Sequence, residues 1–272
     1  MRENIESLLE RIKLPPLSFD LLNQLGDDNC DLDSVAESIS LDPNLTASLL
    51  RICNNAVFGS SEPVSTVAEA INRAGFKSVY MLAAAIYGNG CFGGFAVSRL
   101  DSQRLWQHSV AAAFTTKLVA ESAGLDANAL FTAGLLHDIG KVILAQSRSQ
   151  ETCNFYGPSD AAALQQEALI YGLDHAEVGA LLLEKWKLPL PLIDAVRFHH
   201  DPRKSGRFET FVAGVTLGNA VSHGMENPAA LESNTCLYAL KLLRLTPDHL
   251  QLWREQYGES QPLVSNLSSL AV

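Results

Sequence analysis

The sequence predicts an all-α protein, and two observations lead to that prediction. Apolar residues recur at helical spacing through most of the chain, and helix caps and breakers separate these segments. No alternating run of β-branched residues is bounded by hairpin turn signals. With 272 residues, 47% of them hydrophobic, the chain can bury a large core. We therefore expect a helical bundle, organised as one large domain or two smaller ones.

The first part of the chain is expected to form a subdomain of short helices. Amphipathic segments at 5–12, 18–25 and 32–38 are followed by Asp42-Pro43, a cap and a first-turn proline for a helix over 45–54. Thr66 and Glu69 have the spacing of a capping box, and Gly75 is placed to end that helix.

A helix over 77–87 closes this part of the chain, and the glycine-rich stretch 88–94 after it predicts a flexible joint. We therefore expect a helical N-terminal subdomain over 1–97, packed with a helical bundle over 98–225. A C-terminal helical extension over 226–272 is expected to end in a frayed polar tail. The helices predicted after the joint span 100–122, 127–146, 161–171, 174–186, 191–200, 210–222, 233–244 and 247–257.

The sequence Leu-Leu-His-Asp-Ile-Gly-Lys at 135–141 is the most informative stretch for function. It places His137 beside Asp138 in an apolar segment, and a helix would return Lys141 to the same face. Both polar residues need a partner in such a segment, and imidazole nitrogen and carboxylate oxygen are ordinary transition-metal ligands. A histidine-aspartate pair alone, however, is more often structural than functional.

Four further histidines make the metal interpretation stronger. His108 lies on the preceding predicted helix, His175 opens the helix after it, and His199 and His200 close the next one. Each of them alone would be a partly buried structural histidine or a cation at a helix C-terminus. One histidine-bearing helix after another is instead the way metal sites are built inside helical bundles. His223 and His249, by contrast, lie outside this series.

Charge and composition exclude several classes of partner. A net charge of −10 argues against nucleic-acid and anionic-membrane binding, since both need a basic face. The longest apolar region, 81–97, is interrupted by Asn89 and four glycines and is expected to be core. The charged N-terminus lacks the apolar core of a signal peptide, and the five scattered cysteines suit free thiols, so a cytoplasmic location is expected.

A basic segment follows the paired histidines at 203–207, where Arg-Lys-Ser-Gly-Arg occurs. Such a segment is most simply a solvated loop. It could also supply positive charge, together with Lys141 and a metal, to a phosphate-bearing small ligand. Both interpretations stay open at this point.

The histidines and aspartate resemble a known ligand pattern. His108, His137-Asp138 and then Asn219 follow the order His, His-Asp, Asp of the HD-domain metal phosphohydrolases, with the last member changed to an amide. Adding His175 and the His199-His200 pair makes the set similar to the HD-GYP branch, which contains cyclic di-GMP phosphodiesterases. No Gly-Tyr-Pro follows the paired histidines here.

The N-terminal half resembles a different branch, the HDOD family of HD-related output domains of bacterial signalling proteins. The resemblance rests on Leu-Pro-Pro-Leu at 14–17, on the block at 41–55 that begins Leu-Asp-Pro-Asn-Leu, and on the block at 63–75 that begins Pro-Val-Ser-Thr-Val. It covers about residues 5–222. It implies a helical N-terminal subdomain joined to an HD-like bundle, and a regulatory module in which catalysis has commonly been lost.

Two functions follow from these resemblances. The first is a signalling output module with a protein partner, in which the site is a metal-stabilised feature or a ligand sensor. The second is a metal-dependent phosphohydrolase or phosphodiesterase that acts on a cyclic dinucleotide or another phosphoester, with Asp138 and Lys141 as catalytic residues.

Both functions imply one or two divalent transition-metal ions. The resemblance implies that His108, His137 and Asp138 hold one ion, with Asp138 as a bridge. The other ion would be held by His175, His199 and His200. Asn219 would be a weaker ligand of the first ion, since a neutral amide replaces a carboxylate. Iron, manganese or nickel is favoured over magnesium because nitrogen ligands outnumber oxygens.

Overall fold

The structure is a computed structural model, and it describes Ile5, Leu9, Leu21 and residues 31–54, 63–93, 102–146, 161–224 and 231–268. Throughout these residues the regular structure is helical, without a strand, which confirms the predicted all-α class. The two helices predicted at 5–12 and 18–25 fall almost entirely outside the described residues. The predicted subdomain boundaries near 98 and 226 also fall outside them, and these boundaries stay predictions.

The described residues form a series of α-helices. In chain order they are α1 Leu32–Ser40, α2 Pro43–Cys53, α3 Val67–Ala74, α4 Phe76–Gly93, α5 Ser102–Ala123, α6 Ala127–Leu136, α7 Ile139–Gln146, α8 Ala161–Tyr171, α9 His175–Lys185, α10 Leu190–Phe198, α11 Glu209–Gly224, α12 Asn234–Leu242 and α13 Asp248–Ser268. Two short 3₁₀ turns, Pro202–Lys204 and Gly206–Phe208, connect α10 to α11.

The helix caps predicted at Asp42, Thr66 and Gly75 are confirmed. The Thr66 hydroxyl accepts the Glu69 amide at 3.2 Å, and the Glu69 carboxylate accepts the Thr66 amide at 3.1 Å, which completes the capping box of α3. Gly75 caps the end of α3 with φ +78°, a conformation that glycine adopts without steric cost. Asp42 accepts the Leu45 amide at 3.0 Å at the start of α2.

The glycine-rich stretch at 88–94 is predicted to form a joint. In the structure it is helical up to Gly93, where α4 ends. Glycine lowers helix stability by only about 1 kcal/mol per residue, and the first turns of α4 bury Met81, Leu82 and Ala85, so the helix continues. In the part of the chain that the structure describes, no helix combines the length and the apolarity needed to cross a bilayer.

One hydrophobic core joins the two halves of the chain. It contains Leu45 and Ile71 from the first half as well as Phe131 and Val196 from the histidine-bearing half. Helix α4 links them, because it packs against both α2 and α6. Burying this apolar surface on folding stabilises the helices that carry the histidines.

The C-terminal extension packs along α5, the helix that carries His108. The Trp106 indole N–H donates to the Leu267 carbonyl at 3.0 Å, and the Trp253 indole N–H donates to the Ser122 hydroxyl at 2.9 Å. These two contacts, one near each end, make α13 antiparallel to α5. The helix continues to Ser268, whereas the sequence predicts a frayed tail after residue 257.

Candidate metal centre

Six of the seven predicted metal ligands come together in the structure. Asp138 is at the centre: its Oδ2 lies 3.4 Å from His137 Nε2 and 3.6 Å from His108 Nε2. Its Oδ1 lies 3.3 Å from His175 Nε2 and 3.8 Å from His199 Nε2. One buried carboxylate therefore faces imidazole nitrogens on both sides.

The helix predicted over 127–146 is in fact two helices, α6 and α7, with a break at His137 and Asp138. The break has a local cause, because His137 Nδ1 lies 2.7 Å from the Gly134 carbonyl. In an uninterrupted helix that carbonyl would pair with the Asp138 amide. Lys141 still reaches Asp138, with its Nζ 2.7 Å from Oδ2.

Two further ligands, His175 and His199, owe their positions to helix ends. Asp174 caps α9 by accepting the Glu177 amide at 2.9 Å, which makes His175 the first residue of that helix. At the far end of α10, His199 is the C-cap, and its carbonyl accepts the Thr216 hydroxyl of α11 at 2.8 Å. Helix ends leave side chains free to converge on one point.

Hydrogen bonds determine which ring nitrogen of His137 and of His199 faces the centre. His137 Nδ1 lies 2.7 Å from the Gly134 carbonyl, and His199 Nδ1 lies 2.8 Å from the Val196 carbonyl. A carbonyl only accepts hydrogen bonds, so both Nδ1 atoms carry the proton. Both Nε2 lone pairs therefore point toward Asp138, as metal ligands do.

Glu167, on α8, is a member of the site that the sequence analysis missed. Its Oε2 accepts hydrogen bonds from His175 Nδ1 at 2.7 Å and from the His175 backbone amide at 2.8 Å. Burial lowers the pKa of His175, but Asp138 and Glu167 outweigh burial and raise it. The available signal was that Glu167 is the one charged residue of α8, although no ligand spacing marks it.

The nitrogen and oxygen atoms fall into two groups of three, and the ligand atoms of each group lie within 4.8 Å of one another. We name them the first group (His108, His137, Asp138) and the second group (His175, His199, His200). In the first group His108 Nε2 and His137 Nε2 are 3.3 Å apart, and in the second His175 Nε2 and His200 Nε2 are 3.0 Å apart. Donor sets of this kind could hold a divalent metal.

Three buried atoms test whether these residues fit a metal. Asp138 Oδ1, His199 Nε2 and Asn219 Oδ1 have no hydrogen-bond partner among the described residues. Buried polar atoms in proteins are rarely left in this state, because desolvation without a partner is costly. The residues present therefore fit a divalent metal ion.

The charge states favour metal binding as well. Burial, together with neighbouring imidazoles, holds the pKa of His108, His199 and His200 well below the usual histidine range, so these rings are neutral at pH 7. Burial raises the pKa of Asp138, but His137 and Lys141 outweigh it and hold that pKa well below its ordinary value. Neutral imidazole and ionised carboxylate are the forms that bind metals.

Helix α11 carries Asn219, which stays a predicted ligand, and it brings His223 to the site, although the sequence places His223 outside the histidine series. The ring of His223 stacks on His108, with centroids 4.3 Å apart and an interplanar angle of 30°. His223 follows Asn219 by four residues and so lies on the same helix face, a spacing that could have identified it. His249 stays outside the site and packs against Trp253 on α13.

The basic segment at 203–207 lies on the surface. Arg203 donates to the Asp201 carboxylate at 2.6 Å, and its guanidinium lies 5.8 Å from the centroid of the Tyr238 ring. Arg203, Lys204 and Arg207 are all exposed. The segment therefore matches the solvated-loop interpretation.

The curated relatives are longer proteins, and each of them matches this chain over only part of its own length. An uncharacterised protein from Treponema pallidum (strain Nichols) is 24% identical over 264 residues, which is 90% of this chain and 50% of that protein. Ribonuclease Y from Deinococcus radiodurans is 32% identical over 133 residues, which is 48% of this chain and 19% of that enzyme. The chain thus spans half or less of the length of these relatives.

A solved structure matches nearly the whole chain, and a family model matches well over half of it. The crystal structure of an HDOD domain protein with unknown function from Geobacter sulfurreducens matches with a TM-score of 0.72 and 21% identity, over 99% of each chain. This similarity shows a shared fold. The HDOD domain family model matches residues 12–202, well over half of the sequence and including both groups of histidines. The chain therefore belongs to the HDOD domain family.

Proposed function

We propose that this protein is a signal-transduction output module of the HDOD type, whose His/Asp site holds a divalent transition metal and turns over little or no substrate. The observation that carries the proposal is Asn219, a buried amide at the position where the HD hydrolase pattern has an aspartate. Family membership supports the signalling role. The module would act by contacting a protein partner, in the cytoplasm.

The side chains of the site form a donor set that suits a divalent cation. Neutral imidazoles supply most of the donors and ionised Asp138 supplies the charge, so iron, manganese or nickel suits the set better than magnesium. One or two ions fit, one for each group. A bound ion would supply Lewis-acid chemistry and stabilise the convergence of the five helices that carry the donors.

Two features explain why turnover is expected to be low. The Asn219 amide is neutral, so it holds a divalent ion less firmly than a carboxylate and cannot take up a proton. Lys141 is buried and its ammonium is paired with Asp138 at 2.7 Å, so its charge is already largely compensated. We therefore expect both residues to support little turnover.

A metal-dependent phosphohydrolase or phosphodiesterase is the second candidate, and one observation favours it. The six ligands that precede Asn219 in the predicted set converge in the structure. Three of them form the first group, which includes Asp138, and three form the second group. In this alternative Asp138 and Lys141 would be the catalytic residues. A cyclic dinucleotide or another phosphoester would be the substrate.

Asn219→Asp tests which candidate is correct. In protein reconstituted with iron or manganese, we expect little hydrolysis of a cyclic dinucleotide or a simple phosphoester by the native chain. The substitution should raise that rate at least tenfold, because it restores a negative charge to the site. Asn234→Asp, at an exposed helix start, adds the same charge elsewhere and should change nothing. Rapid native hydrolysis that Asn219→Asp leaves unchanged or slows would contradict the signalling proposal.

A further inference from the structure

The two oxygens of Asp138 have different surroundings. Oδ2 lies on the side of the first group and accepts a hydrogen bond from the Lys141 ammonium at 2.7 Å. Oδ1 faces His175 at 3.3 Å and His199 at 3.8 Å, and it has no hydrogen-bond partner in the described part of the chain. The carboxylate thus offers one occupied and one open oxygen.

This difference gives the two groups unequal capacity for a cation. An ion in the first group has to share Oδ2 with an ammonium, and the two positive charges repel each other in a buried site where water screens them poorly. The side chains of Lys141 and Asp138 are 4% and 1% exposed, which makes this competition strong. An ion in the second group can use Oδ1 without competing with the Lys141 ammonium.

The two groups also differ in the residues that accept hydrogen bonds from their histidine ligands. In the second group, His175 donates its Nδ1 proton to the Glu167 carboxylate, which is buried and also accepts the His175 backbone amide. In the first group, His137 donates its Nδ1 proton to a neutral carbonyl. A carboxylate behind an imidazole fixes the ring and makes its other nitrogen a stronger donor to a metal.

We infer that the second group, completed by Asp138 Oδ1, is the tight metal position and fills first. Glu167 is a positioning residue for that position, and Lys141 keeps the first group weak. This inference rests on the proposed metal-binding function and adds an order of loading to it. It also assigns roles to two residues that are not themselves required as ligands.

Metal titration of the full chain tests the order of loading. After chelator treatment, titration with Mn²⁺ is expected to show one tight ion and a second at least tenfold weaker. His200→Ala should remove the tight ion, whereas His108→Ala, the matched loss of a half-buried histidine from the first group, should retain it. The opposite pattern, or two ions of equal affinity, would overturn the inference while leaving metal binding intact. Failure to bind any ion would defeat the proposed function as well.

Glu167 is tested by graded substitution. Glu167→Ala should weaken the tight position by about 10–100-fold, and Glu167→Gln, which keeps an acceptor for His175, should weaken it less. Glu177→Gln serves as the control, because Glu177 is on the same helix as His175 but pairs with Arg197 at the surface. The visible spectrum of bound Co²⁺ should change in the Glu167 variants and not in the control. Native affinity and spectrum in both Glu167 variants would exclude the positioning role.

Lys141 is tested in the opposite direction. Lys141→Met removes the ammonium at similar length, so the weaker Mn²⁺ ion should bind at least tenfold more tightly while the tight ion changes less. Lys141→Gln provides a second variant that keeps a polar contact with Asp138 if the methionine variant does not fold. An unchanged affinity of the weaker ion in a folded Lys141 variant would show that Lys141 does not limit the first group.

Discussion

Asp138→Ala is expected to destabilise the metal-free protein by about 3–5 kcal/mol, because the substitution leaves the Lys141 ammonium buried without its carboxylate. The two charges are 2.7 Å apart and both side chains are almost completely buried. Breaking such a pair costs much more than the pair contributes, since the remaining ion cannot recover its hydration. Removing the carboxylate also deprives four neighbouring histidines of the central anion.

Lys141→Met in the Asp138→Ala background separates the buried charge from the loss of packing. The double variant should recover most of the lost stability, since an apolar side chain of similar length fills the same space without a charge. Urea unfolding in the presence of a chelator measures both variants. If Asp138→Ala lowered the free energy of unfolding by less than about 1 kcal/mol, or if the double variant recovered none of the loss, the pair would behave like a solvent-exposed salt bridge.

Gly140→Ala is expected to cost about 3 kcal/mol, at the upper end of overpacking effects, because the clash is with backbone. A Cβ there would lie 1.9 Å from the His175 carbonyl oxygen and 2.7 Å from the Gly179 amide nitrogen. Gly140 is thus the point at which α7 and α9 cross. An added methyl group would push His175 away from Asp138, so metal affinity should fall together with stability.

Gly258→Ala is the matched control, since Gly258 is within α13 and an added Cβ would meet nothing within 4 Å. Alanine there should stabilise the helix by up to about 1 kcal/mol. Thermal unfolding compares the two variants with the native chain. If Gly140→Ala were as stable as the native protein, the close approach of α7 and α9 would have to be wrong.

Local features of the fold could be predicted from the sequence because their causes are local. The capping box of Thr66 and Glu69 and the caps at Asp42 and Asp174 depend on residues three positions apart. The same is true of the helix spacing that predicts an all-α protein. Features that depend on contacts between helices were less accessible.

The candidate site shows where prediction from sequence stops. The histidine series was visible as one histidine-bearing helix after another, and the structure brings its members together. The break at His137 was missed because a side chain competes with the backbone for the Gly134 carbonyl. Glu167 and His223 were missed because their roles arise from packing against His175 and His108, and no spacing along the chain encodes that packing.

Metal content tests the central claim most directly. The native chain, prepared without chelators and reconstituted with iron or manganese, should retain at least one ion per chain after gel filtration. His137→Ala/Asp138→Ala should retain none, because it removes the carboxylate that both groups share. Adding Lys141→Met to that variant removes the unpaired charge and keeps the comparison valid if the double variant does not fold. Equal metal content in the native chain and in a folded variant would contradict a metal centre at this site.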